Sequence, residues 1–222
     1  AYHWYSGGQY DQVAACSAAL RGKELFFTEG CVEGGPRPGR WFSGERYGHN
    51  IINDLNSGCT AWIDWNMALD SHGGPNHAGN FCDAPILVDT DAKTVSYQSS
   101  FYYIGQFSRF ITPGSRRIAC SMTPFMVPAA CDGQMGDLME STAFLTPGGE
   151  AVLVVMNRTE EDMVFALEQA QPKDLDASEI DVRLGATWLD TDIIQQFMQE
   201  TFEMPYYLRR SIEVKYSPYT AE

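Results

Sequence analysis

Phe26-Phe27-Thr28-Glu29-Gly30-Cys31 is the stretch on which the fold turns. Two aromatic residues and a β-branched one run into a carboxylate, a glycine and a thiol, the pattern of a buried strand that delivers an acid into a cavity. No cation lies in the stretch, so Glu29 either meets solvent at a strand end or serves a site. The flanking sequence decides between the two. Upstream, Ala1-Tyr2-His3-Trp4-Tyr5 is a short aromatic strand closed by Ser6-Gly7-Gly8, and Tyr10, Val13, Ala14, Ser17, Ala18 and Leu20 fit one face of a helix ended by Gly22. Downstream, a Gly/Pro loop from Gly34 to Gly39 leads to a helix predicted over Gly44–Ser57, with Tyr47, Ile51, Ile52 and Leu55 on one face. Cys59-Thr60-Ala61-Trp62-Ile63-Asp64-Trp65-Asn66 then reads as a third strand. Strand, helix, strand, helix, strand at these lengths means right-handed parallel crossovers. Both a β/α barrel and an open doubly wound sheet satisfy that order.

No Gly-x-Gly-x-x-Gly follows a strand, so a dinucleotide site has no support. The strands end instead in His3, Trp4 and Tyr5, in Glu29, and in Asp64, Trp65 and Asn66. Aromatic platforms beside carboxylates suit a sugar, whose C–H faces stack on rings while its hydroxyls take hydrogen bonds. Composition narrows the field further. The formal charge of −14, from 29 acidic against 15 basic residues, argues against a nucleic-acid surface. No apolar run approaches the roughly 18 residues of a membrane span. With 44% hydrophobic residues, 222 residues can bury one or two cores. The chain opens at Ala1 with neither methionine nor a leader, so the expectation is a removed leader or an absent N-terminal portion. Cys16, Cys31, Cys59, Cys82, Cys120 and Cys131 form no CxxC pair and read as scattered buried thiols. Spacing leaves a Cys120–Cys131 disulfide open.

Several motifs in order carry a family resemblance. They are His3-Trp4-Tyr5-Ser6-Gly7, Phe27-Thr28-Glu29-Gly30-Cys31, Gly44-Glu45-Arg46-Tyr47-Gly48-His49-Asn50-Ile51-Ile52, Ala61-Trp62-Ile63-Asp64-Trp65-Asn66, Gly73-Gly74-Pro75-Asn76, Asn80-Phe81-Cys82-Asp83-Ala84-Pro85-Ile86 and Phe107-Ser108-Arg109-Phe110-Ile111. Together they resemble glycoside hydrolase family 30, in its glucosylceramidase-like branch, over approximately residues 1–166. The resemblance implies an α/β fold class: the C-terminal strands 6–8 of a (β/α)8 TIM barrel over residues 1–110, then part of an all-β sandwich over 111–167. It also implies retaining hydrolysis of a β-linked glycoside or glycan, of the kind found in sphingolipid and carbohydrate metabolism. No cofactor or metal is implied. Glu29 matches the family's nucleophile at the end of strand seven. Tyr5 and His3 fall at the end of strand six, Trp65 matches the floor of the sugar subsite, Asn80 the loop asparagine bordering it, and Cys31 a packing cysteine near the nucleophile. The complete enzyme is expected to be secreted, periplasmic or extracellular, with a bacterial cytoplasmic location the other case.

Two departures qualify the resemblance. The family's acid/base sits in an Asn-Glu pair at the end of strand four, and no Asn-Glu pair occurs here. The expectation is therefore that an N-terminal barrel half is missing, that a sheet edge is left open, and that the isolated chain is inactive. The second departure is the tail over 168–222, an α+β segment with an amphipathic helix around Ile193, Ile194, Phe197 and Met198 and an alternating strand at Ile212–Tyr216. Residues 177–189 and 216–220 resemble an internal stretch of mobile-element helicase and adenine-methylase proteins, without their catalytic motifs. The tail thus reads as an unrelated junction or a divergent extension. The alternative function is a non-catalytic carbohydrate-binding or interaction protein derived from a glycosidase.

Overall fold

The computed structural model describes residues 1–5, 7–20, 22–122, 139–159, 181–182 and 213–218, divided into a unit over Ala1–Arg109 and a second over Phe110–Glu222. In the first unit the expected succession is present: β1 (Tyr2–His3), α1 (Tyr10–Ala19), β2 (Phe26–Glu29), α2 (Trp41–Asn56) and β3 (Ala61–Trp62). The strands form a parallel sheet in the order β1-β2-β3. Its register sets His3 opposite Glu29 and Phe27 opposite Trp62. Phe27 is the keystone of this sheet and is 0% exposed. Its ring stacks on Trp62 with centroids 4.7 Å apart and meets the edges of Tyr2 at 5.6 Å and Trp4 at 5.9 Å. Offset and edge-on aromatic pairs of this kind add about 0.5–1.5 kcal/mol each beyond their burial.

The third strand is shorter than the sequence predicts, because only Ala61 and Trp62 pair with β2 as a ladder; beyond them single backbone bonds, Ile63 N–H to the Phe27 carbonyl and Trp65 N–H to the Gly30 carbonyl, hold the chain to the β2 segment. The first helix also departs from expectation: none of its residues is fully buried, and it touches α2 through Tyr10, whose ring meets His49 at 5.5 Å and whose hydroxyl accepts from the Asn50 amide at 3.4 Å. By contrast α2 buries Ser43, Gly44, Tyr47, Gly48, Asn50, Ile51, Ile52 and Asp54, the spacing of one helix face. It begins at Trp41, ahead of the predicted Gly44. That glycine is an interior contact point and not a turn.

Its partner is α3 (Ser99–Ser108), reached through β4 (Ala68–Asp70), β5 (Ile86–Asp89) and β6 (Thr94–Tyr97). In this second small sheet β4 and β5 run parallel while β5 and β6 form a hairpin. The Ser99 hydroxyl accepts from the Gly44 N–H at 3.0 Å and donates to the Arg40 carbonyl at 2.9 Å, pinning α3 to the first turn of α2. A Cβ at residue 44 would lie 2.9 Å from the Ser99 carbonyl carbon and closer still to the Tyr103 ring. Gly44→Ala is therefore expected to force the helices apart at a cost of about 1–3 kcal/mol. Thermal unfolding of the chain checks this, as a midpoint lowered by several degrees.

The second unit contains β7 (Arg116–Cys120), β8 (Met139–Leu145), β9 (Glu150–Asn157), β10 (Asp181–Val182) and β11 (Glu213–Pro218), in a sheet ordered β10-β7-β8-β9-β11. Pro147-Gly148-Gly149, a turn signal in the sequence, lies in the hairpin between β8 and β9, whose register runs from Met139 opposite Asn157 to Leu145 opposite Ala151. Met139, Ala143, Leu153 and Val155 form the core on one face, with Ile118, Cys120 and Met122 against it. Two strands come from the tail: β11 pairs with β9 antiparallel and β10 with β7 in parallel. Both strands extend the sheet of β7, β8 and β9 at its two edges. The loop-like insert that the sequence predicts over Met122–Met139 lies, but for its two end residues, outside the described residues, as do the strand predicted at Met163–Leu167, the amphipathic helix near Ile193 and Cys131. Among the described residues no helix is long and apolar enough to cross a membrane.

Candidate active site

Glu29 is the last residue of β2, and the parallel register carries it to the carboxyl end of the sheet beside His3. Its Oε1 accepts a hydrogen bond from the Tyr5 hydroxyl at 2.9 Å, and its Oε2 lies 3.9 Å from His3 Nε2. The His3 and Tyr5 rings meet edge to face at 5.3 Å, so the two side chains hold one another as well as the carboxylate. Tyr5 is 77% exposed, and the Glu29 carboxylate it donates to raises its phenol above the usual range. Three of the residues named from sequence thus converge: Glu29, Tyr5 and His3.

Behind them the next residue, Gly30, allows a close approach. A Cβ there would come within 2.8 Å of the Phe27 ring and 3.0 Å of Trp4. Trp4 fills that space, edge-on to Tyr47 at 5.6 Å and capped by the Arg46 guanidinium 3.9 Å above its ring. Such a cation–π contact is worth about 0.5–2 kcal/mol. The Gly30 carbonyl accepts from the backbone N–H of Trp65 at 3.1 Å, which sets Trp65 one residue past the exit of Glu29. The Trp65 side chain is 52% exposed, an open ring and not a packed one.

Sequence reasoning missed the brace under Trp65. Asp64 Oδ1 accepts from the Tyr47 hydroxyl at 2.8 Å and from the Trp65 N–H at 2.9 Å, while its Oδ2 is buried without a hydrogen-bond partner. Burial pushes the Asp64 carboxyl up to about 7, outweighing the two donors, with the charge of Asp83 adding to the rise. Asp54, buried beneath β1 and bonded to the Asn50 amide at 2.8 Å, is pushed up by burial to about 6. Both groups keep protons in the folded chain that the unfolded chain, at 3.8, has already released. The folded state then binds more protons between about pH 4 and 7, so stability falls as pH rises through that window. Urea midpoints measured across it should decline, and Asp64→Asn should flatten the upper part. Asp70, lowered by N–H donors from Gly74 and His72, acts only below that window.

Cys31 and Cys82 were read as separate thiols, yet their Sγ atoms lie 3.0 Å apart. Burial first, and then the Cys82 thiol, push the Cys31 thiol well above its usual range. Cys82 in turn donates to the Asn80 carbonyl at 3.6 Å, so Asn80 reaches the Glu29 strand through this pair, with its own side chain exposed. The reading of uniformly buried thiols fails at Cys16, which is exposed on α1. A concavity of this unit, lined by Tyr2, His3, α1 residues, Asn50 and Asp54, does not include Glu29. It lies between β1 and α1.

A parallel sheet wound with helices, with a carboxylate and aromatic side chains at the carboxyl ends of its strands, is the arrangement of a (β/α)8 enzyme segment. Known proteins place it further. The model of the glycosyl hydrolase family 30 TIM-barrel domain matches residues 1–111, half of the 222-residue chain, and that of the family's β-sandwich domain matches 114–184. The chain belongs to glycosyl hydrolase family 30. A domain of unknown function, DUF8437, matches residues 183–222. The lysosomal acid glucosylceramidase of Mus musculus is 38% identical over 179 residues, covering 75% of this chain and 32% of that protein. Putative glucosylceramidase 3 of Caenorhabditis elegans is 33% identical, covering 74% and 30%. Among solved structures, SrfJ from Salmonella typhimurium superposes with a TM-score of 0.60 at 38% identity, covering 71% of this chain and 33% of that one. An endo-β1,6-glucanase superposes with a TM-score of 0.56 at 26% identity, covering 76% and 34%. The chain therefore spans about a third of the length of the relatives it matches.

Proposed function

We propose that this chain carries the nucleophile side of a retaining β-glycoside hydrolase, with Glu29 as the nucleophile. The observation that supports the reading is the seating of Glu29 at a strand end, one oxygen fixed by the Tyr5 hydroxyl at 2.9 Å. A carboxylate oriented in this way attacks the anomeric carbon as the bond to the leaving oxygen breaks, giving a glycosyl ester that water later hydrolyses. Trp65 offers its exposed ring as the platform for the sugar in the cleavage subsite, and Asn80 and His3 supply polar contacts at its border. Cys31 supports the strand end by packing.

The second carboxyl, which protonates the leaving oxygen and then activates water, is supplied from outside these residues by the barrel strands that would precede β1. The substrate class is a β-linked glucoside, in keeping with relatives named as glucosylceramidases and as an endo-β1,6-glucanase. The test joins this chain to the upstream barrel segment of such a relative and incubates it with a 2-deoxy-2-fluoro β-glucoside. Peptide mass spectrometry should find the sugar on Glu29. Sugar on Glu24, Glu33 or Glu45 instead would sink the assignment.

A further inference from the structure

We propose that Cys31 and Cys82 are a redox-active dithiol, a site of reversible disulfide modification that cross-links the end of the Glu29 strand to the Asn80 segment. The two thiols are 51 positions apart in sequence, yet the backbone already holds their segments together. Glu33 and Cys82 form an antiparallel bridge, the Val32 carbonyl accepts from the Asp83 N–H at 2.8 Å, and the Phe81 carbonyl accepts from Gly34 and Gly35 at 2.9 and 2.8 Å. On such a ladder Cys31 stands diagonally across from Cys82 on the same face. The two sulfurs, 3.0 Å apart, need to approach by only about 1 Å to reach the roughly 2.05 Å of a disulfide. Cys82 is 1% exposed, whereas Cys31 is only half buried and is the point of entry for an oxidant. No group of three His, Cys, Asp or Glu side chains suited to a metal occurs among the described residues, which favours a dithiol over a metal centre.

The oxidant is a low-molecular-weight disulfide, R–S–S–R, of the glutathione class. The Cys31 thiolate attacks one of its sulfurs, forming a mixed disulfide and releasing R–S⁻. The Cys82 thiolate then attacks the Cys31 sulfur and expels the second R–S⁻. The two protein thiols lose their protons to the departing thiolates, two electrons end on the oxidant, and excess R–SH reverses the reaction. The bond would fix Glu29, two residues before Cys31, relative to Asn80, two residues before Cys82.

The full chain is equilibrated with glutathione buffers of graded ratio, quenched in acid, alkylated and mapped by peptide mass spectrometry. The expected product is a Cys31–Cys82 cross-linked peptide pair lighter by two hydrogens. It should outnumber the mixed disulfide at Cys31 by about tenfold, because a pre-placed thiol competes at an effective concentration above that of the buffer. Exposed Cys16 should carry glutathione only. Cys82→Ser should convert the cross-link into a stable mixed disulfide at Cys31. In guanidinium the preference should disperse over other pairings, tying it to the fold. The proposal is overturned if Cys31 and Cys82 are both still alkylated at ratios where Cys16 has reacted, or if wild-type Cys31 holds glutathione beside a free Cys82.

Discussion

Glu29→Gln, placed in a catalytically complete form of this enzyme, is expected to lower hydrolysis of an aryl β-glucoside by at least about 10³-fold and to abolish trapping by the fluorinated sugar. The substitution is nearly isosteric, and its amide oxygen can still accept from the Tyr5 hydroxyl, so the strand end keeps its shape. What disappears is the negative charge and the nucleophilic lone pair that would form the glycosyl ester. Loss of activity with an unchanged melting curve separates chemistry from folding. A second variant, Glu29→Ala, sharpens the test. It opens space for azide, which attacks from the vacated side and yields a glycosyl azide inverted relative to the substrate. Retention of more than about a tenth of wild-type turnover by Glu29→Gln, or an azide product of retained configuration, would remove Glu29 from the nucleophile role.

How much of this was legible in the sequence depends on what held each element in place. The Phe26–Glu29 strand and the Tyr47/Ile51/Ile52 helix face carry strong periodic patterns and buried apolar residues, and both stand as read. Local periodicity failed where the partner was distant. Gly44 reads as the start of the helix, and its interior place shows only when Tyr103 and Ser99 are seen against it. The β4–β6 sheet and α3 went unread because the four residues of β6 are all exposed and α3 buries only Ser100, Tyr103 and Phe107. Conversely, α1 shows an acceptable apolar face in sequence, yet none of its residues is fully buried. In the site, Glu29, Tyr5 and His3 were marked by their places at strand ends. The Cys31–Cys82 pair and the Asp64–Tyr47 brace depend on long-range contacts that no spacing encodes. One faint signal existed: each cysteine follows a named site residue by two positions, Glu29 in one case and Asn80 in the other.

The 222-residue chain alone is expected to show no measurable turnover of aryl β-glucosides, although it presents Glu29 fully formed. Retention requires a second carboxyl about 5–5.5 Å from the nucleophile, free to reach the leaving oxygen. Glu29 is bonded to a phenol and neighboured by an imidazole, and neither is a carboxyl. Asp64 is the tempting substitute, since a carboxyl pushed up to about 7 has the acidity of a general acid. Geometry denies it that role. Its Oδ1 is occupied by Tyr47 and Trp65, and its Oδ2 is sealed from solvent with no partner, so no proton path leads to a bound glycoside. Asp83 is buried as well, with Oδ1 accepting from the Ala84 N–H. Glu33 is exposed and lies beyond Cys31, where its backbone pairs with Cys82. Joined to the upstream barrel segment of a relative, the same residues should gain activity on the order of 10³-fold or more, the usual scale of positioned acid catalysis plus orientation. Turnover by the isolated chain would overturn the expectation. Its loss in Asp64→Asn or Glu33→Gln would then name the acid within these residues.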